Sequence, residues 1–279
     1  MYCVKGDIIM GRIKAFASRQ PLLFVILLIL SALVIANLAA ILAVILLNID
    51  QTDPLLSPVA LLTATLFLAF ILWRFRWLDA SGVASLGSWK GWGVALLLLI
   101  YYLFELIYSF FGEFSFNVPA EAVGGLSLPS VFISGMFEEI LFRGAVLYSL
   151  MSVWGATRRG ILKAAVISAI LFGLIHALNA ISGDASEIVG QMTIALLEGI
   201  WWAAIVLNWG SVWPVVFIHG ITNWVLRTKS LGYTDYYGTA SSYLLAIFLG
   251  LPLAGLGVWW ILRGNLATHP EGASSLEYP

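Results

Sequence analysis

The chain has 279 residues, 61% hydrophobic and only 10% charged, with a formal net charge of −1. Soluble domains carry about 25% charged residues, so a soluble globular protein is excluded, and the near-neutral balance excludes nucleic acid as a partner. A single cysteine, Cys3, leaves no pair for an internal disulfide or a cysteine-based metal site.

In chain order, residues 1–20 are a basic segment carrying Lys5, Arg12, Lys14 and Arg19, and an apolar run follows from Pro21 to Leu47. That run exceeds the ~7–15 residues of a signal-peptide core, so it reads as a retained first span. Further apolar runs come close to the ~20 residues that cross a bilayer. They are continuous instead of alternating, which selects helices over a barrel. The pattern predicts an all-α polytopic membrane bundle of about eight transmembrane helices, at 21–47, 54–73, 92–111, 126–152, 161–182, 187–208, 211–226 and 241–263. They form one domain over 21–263, with its polar motifs concentrated in 126–228, and the polar tail 264–279 is expected to be disordered.

With the N-terminus inside, Lys5, Arg12, Lys14, Arg19, Arg74, Arg76, Lys90, Arg158, Arg159, Lys163 and Arg263 all fall on the inner side, against Arg227 and Lys229 on the outer. By the positive-inside rule both termini are cytoplasmic. Tryptophans 73, 77, 89, 92, 154, 209 and 213 cluster at the inner ends, as interfacial anchors do. The expected location is a multi-pass integral membrane protein, in the plasma membrane if the source is prokaryotic.

Polar residues inside these runs are few. A charge at the bilayer centre costs about 2.5–3.5 kcal/mol on insertion scales, yet Glu138 and Glu139 stand side by side within 126–152. Glu139 and Arg143 are four apart with the acid first, the better order for a helical ion pair. Glu138 points about 100° away and is left with no partner on its own helix. A carboxylate in apolar surroundings is suited to act as a general base at neutral pH. A buried clamp between helices would account for Glu139 and Arg143 but not for Glu138.

On the fifth run, His176 is placed to orient a water together with Glu138, and Phe172, one turn earlier, shapes the wall. On the seventh, His219 and Asn223 share a face and offer hydrogen bonds to a developing oxyanion, with Gly220 allowing close approach. Taken singly, each histidine also fits plain interhelical hydrogen bonding. Glu105 and Glu198 are isolated acids with no catalytic assignment, although Glu198 can line the same cavity.

Taken together, Glu138-Glu139-xxx-Arg143, Phe172-xxx-His176 and His219-xxx-Asn223 resemble the CAAX-processing and bacteriocin-processing (CPBP) peptidases, also called type II CAAX prenyl endopeptidases. The likeness covers roughly residues 130–230. It implies an intramembrane endopeptidase whose site opens toward the cytoplasm. By the same likeness Glu138 and His176 activate water, His219 and Asn223 stabilise the oxyanion, and Glu139 and Arg143 hold the constellation. The implied partners are the lipid bilayer and a peptide or protein substrate: a prenylated C-terminal peptide, a bacteriocin or pheromone precursor, or a membrane anchor segment.

No cofactor is expected. The alternative is Zn²⁺ held by Glu138, His176 and His219, but the chain has no H-E-x-x-H motif. Two other functions compete: a proton-coupled transporter, which lacks here the internal repeats such proteins show, and a non-catalytic immunity or scaffold protein of the same fold. One depth mismatch needs resolving. With these helix ends Glu138 and His176 lie ~21–23 Å from the inner ends of their helices and His219 only ~12 Å. Either the boundaries shift, or the connection 208–213 dips inward so that the seventh helix starts deeper.

Overall fold

An apolar chain with no water to bond must satisfy its backbone within each segment, which makes helices of the apolar runs. The computed structural model describes residues 2–48, 50–111, 128–181, 185–232 and 240–267, and among these no strand occurs. The elements are α1 (Tyr2–Arg19), α2 (Pro21–Leu47), α3 (Leu56–Phe75), α4 (Trp89–Phe111), α5 (Leu128–Glu139), a π-helical segment (Ile140–Leu147), α6 (Tyr148–Trp154), α7 (Arg158–Ile175), a 3₁₀ segment (His176–Ile181), α8 (Ala185–Trp209), α9 (Trp213–Gly232) and α10 (Ala240–Arg263).

Local chemistry sets several of these ends. Pro21 opens α2, where its missing N–H costs nothing. Asn48 and Arg76 close α2 and α3 in the left-handed conformation, each returning its N–H to the last turn. Thr157 caps α7 by accepting a hydrogen bond from the Gly160 N–H at 3.0 Å.

Every predicted helix is present, with three corrections. First, among the described residues four of the eight predicted spans are helices long and apolar enough to cross a membrane: α2, α3, Arg158–Asn179 and Ile188–Trp209. The predicted helix 126–152 is interrupted by the π-helical segment. Second, the N-terminal segment is helical from Tyr2 to Arg19, with Phe16 packed edge-on against Phe24 of α2. Third, the predicted tail starts with ordered chain: Leu266 is buried and the Ala267 N–H bonds to Leu207 O at 2.8 Å. An apolar side chain with a place to pack is enough to order these residues. Residues 268–279 lie outside the described residues.

The packing forms two groups. Helix α8 lies along α7 and α10, while α9 lies along α5 and α4 and hardly touches α8. Large apolar side chains such as Ile45, Leu46, Leu66 and Phe70 stand exposed on α2 and α3, as on a lipid-facing surface.

The segments predicted to share the inner side meet at one end of the bundle. The Ser88 N–H bonds to Trp209 O, and the Val212 N–H to Gly82 O. Ser211 Oγ donates to Ser85 O at 2.6 Å, and Trp213 Nε1 to Val83 O at 2.8 Å. Arg158 reaches Ile261 O across the same end. Gly82 and Gly87 make the lock possible: both have positive φ, and a Cβ at Gly87 would sit 2.5 Å from Trp209 O.

This lock resolves the depth mismatch. Ser211 and Val212 are fully buried beneath the 77–88 loop, so α9 begins inside the protein. Counting residues, Glu138 is roughly 24 Å from Trp154 and His219 roughly 9 Å from Trp213, yet their side chains meet.

Candidate active site

The crossing of α5 and α9 is made close by two glycines. A Cβ at Gly135 would sit 3.1 Å from Gly220 N and 3.4 Å from His219 Cβ, and one at Gly220 would lie 2.6 Å from the Phe132 ring. This contact delivers His219 to the two glutamates. Its Nδ1 lies 2.8 Å from Glu139 Oε1 and its Nε2 3.7 Å from Glu138 Oε2. A carboxylate can only accept here, so Nδ1 carries the proton and Nε2 is the nitrogen turned toward Glu138.

Glu139 is completely buried and its Oε1 serves two partners, His219 and Arg143 Nη1, the latter at 3.0 Å as the four-residue spacing predicts. The guanidinium lies 4.1 Å from the Phe172 ring centroid and 5.1 Å from that of Trp202, both cation–π contacts. Gly199 leaves room for it, since a Cβ there would be 3.4 Å from Arg143 Nη2 and 2.9 Å from Ala169 Cβ. The carboxylates of Glu139, Glu138 and Glu198 all act electrostatically on Arg143, which accounts for a charge so deep in apolar packing.

Glu138 differs from its neighbour in being reachable, with 22% of its side chain exposed. The expectation that it has no partner on its own helix is corrected: Ser134 Oγ donates to its Oε1 at 3.3 Å, one turn earlier. Its Oε2 is buried against His219 without a hydrogen bond, so the exposure lies on the remainder of the side chain.

His176 sits where α7 tightens into the 3₁₀ segment. There its N–H turns to Gly173 O, and its Nδ1 takes the Phe172 carbonyl at 2.8 Å. The imidazole thus satisfies a helix-end carbonyl, and because a carbonyl only accepts, Nε2 is left as the outward nitrogen. His176 makes no hydrogen bond to Glu138. It meets the cluster through Phe172, whose ring lies edge-to-face with both His176 (5.0 Å) and His219 (6.1 Å). Asn223 stands half-buried one turn beyond His219 on α9.

The imidazole beside the two carboxylates is therefore His219, and His176 flanks the group across an aromatic ring. Spacing alone missed Ser134 and Trp202. Ser134 was readable as the residue four before Glu138. Trp202, whose ring lies 4.6 Å from that of His219 at a tilt of 42°, had no local signal. The side chain of Glu105 lies outside the described residues.

Among the described residues no three His, Cys, Asp or Glu side chains converge as the ligands of a metal ion do. Of the alternative zinc set Glu138, His176 and His219, His219 Nδ1 is committed to Glu139 and His176 packs edge-on against Phe172.

A family model described as "Type II CAAX prenyl endopeptidase Rce1-like" matches residues 121–225. That stretch contains α5 to α8 and the first half of α9, and with them every residue of this cluster. No curated protein and no solved structure matches the chain.

Proposed function

We propose that this chain, whose residues 121–225 match the Rce1-like type II CAAX prenyl endopeptidase model, cleaves a peptide bond in a membrane-associated protein or peptide with Glu138 as the base. The observation that carries this is the contrast between the two adjacent glutamates. Glu139 is sealed and doubly paired, whereas Glu138 is partly exposed, steadied by Ser134 on one oxygen and turned to His219 on the other.

In this reading a water adds to the scissile carbonyl carbon while Glu138 takes its proton. With His219 as the imidazolium, protonated on both nitrogens between the two glutamates, the oxyanion accepts hydrogen bonds from its Nε2–H and from the Asn223 amide. Glu138 then returns the proton to the leaving amine as the C–N bond breaks. Glu139 holds His219 by Nδ1, the orienting task a carboxylate performs for a catalytic imidazole. Arg143 and Phe172 fix Glu139 and the floor. His176, with its unprotonated Nε2 outward, accepts a hydrogen bond from the water on the far side of Phe172. A base contributes about 10²–10⁴-fold and each oxyanion donor about 10²–10³-fold.

The test uses purified protein in liposomes, offered prenylated C-terminal peptides, peptide precursors and anchor segments. Glu138→Gln is expected to retain its fold and lose cleavage. Wild-type turnover by Glu138→Gln would reject the base. A zinc chelator is expected to leave cleavage intact; a loss restored by zinc would reject the metal-free mechanism.

A further inference from the structure

The cluster is closed on one side and open on the other. Toward the inner end every residue from Glu139 to Met151 is buried, and the lock between the 77–88 loop and the start of α9 lies beyond. Two hydroxyls of that half are spent internally: Ser149 on Ala145 O and Ser168 on Phe142 O. Toward the other end the burial of the described residues breaks. On α5, Ser130, Ile133, Ser134 and Glu138 are only partly covered, Asn223 on α9 likewise, and Asn179 bonds to Gln191 at 3.0 Å in an exposed pair where α7 ends. Polar lining thus leads from Glu138 away from the inner end, over about 15 Å to the start of α5.

The charges identify that end. The inner-end segments hold Arg74, Arg76, Lys90, Arg158 and Arg159, and basic residues stay on the cytoplasmic side. From this geometry, and resting on the peptidase reading above, we infer that the site is fed from the extracytoplasmic face, opposite to the cytoplasmic opening that the family likeness implies. Its substrates are then peptides presented at that face: secreted-peptide precursors and anchor segments of exported proteins, instead of freshly prenylated C-termini in the cytosol.

The test needs no turnover. In a Cys3→Ser background, Ser134→Cys and Asn223→Cys report on the cavity, and Leu86→Cys, exposed in the inner-end loop, marks the inner face. A charged, membrane-impermeant thiol reagent is applied to right-side-out and to inverted vesicles. The expected result is labelling of Ser134→Cys and Asn223→Cys in right-side-out vesicles, lost in inverted ones, with Leu86→Cys showing the reverse. Labelling of the cavity cysteines from the same face as Leu86→Cys overturns the inference. So does reaction only with a membrane-permeant reagent, which means an opening into lipid, and so does a Leu86→Cys that labels from outside. Failure of the peptidase reading is seen separately, as cleavage surviving Glu138→Gln, and leaves the labelling pattern unchanged.

Discussion

Glu138 and Glu139 are identical side chains one residue apart, and their surroundings give them different work. Glu139 is the hydrogen-bonded counter-ion of a buried guanidinium and also the anchor of an imidazole. Removing it with Glu139→Ala strands Arg143, and breaking a buried pair by one partner costs about 3–5 kcal/mol. Thermal unfolding in detergent should show that loss. Glu138→Gln should cost less than about 1.5 kcal/mol, because Ser134 can still donate to the amide oxygen. The pair of variants therefore separates a group needed for folding from one needed for chemistry. Equal destabilisation by both would mean that Glu138 is structural too.

At the scale of elements, the site depends on how closely α5 and α9 approach. Gly220 faces the Phe132 ring, and a methyl group there must displace it. Overpacking of this kind costs about 1–3 kcal/mol. We expect Gly220→Ala to lower stability by that order and to lower kcat more than a surface change of equal cost, since it draws His219 away from the glutamates. Gly93→Ala in α4 is the control: its Cβ would meet nothing within 4 Å, and relieving a mid-helix glycine adds about 0.5–1 kcal/mol. Parallel unfolding and cleavage assays on the two variants check this. The π-helical segment belongs to the same scale. It begins at Ile140, immediately after Glu139, and all its residues are buried. Such segments are frequent at functional sites, and here it carries Arg143 into register with Phe172 and Trp202.

For the whole molecule, the depth of α9 is set far from the cluster, where the 77–88 loop holds its first turn. Trp213→Phe removes the bond to Val83 O while keeping the aromatic packing, and should cost about 1 kcal/mol of stability. If this lock sets the height of His219, the variant also loses cleavage at unchanged KM. Unchanged kcat would assign the lock to stability alone.

The apolar runs, their helical form and the Glu139–Arg143 pair were legible from residue order, because they depend on contacts within a few positions of one another. Four-residue spacing likewise put His219 with Asn223 and Phe172 with His176. Spacing is silent on the relative height and rotation of separate helices. That His219 and not His176 meets Glu138, that Ser211 and Val212 are buried so α9 starts deep, and that Trp202 lies on the imidazole all follow from packing between residues distant in the chain. Glycine contacts and loop hydrogen bonds decide such packing, and they exist only once the helices are assembled.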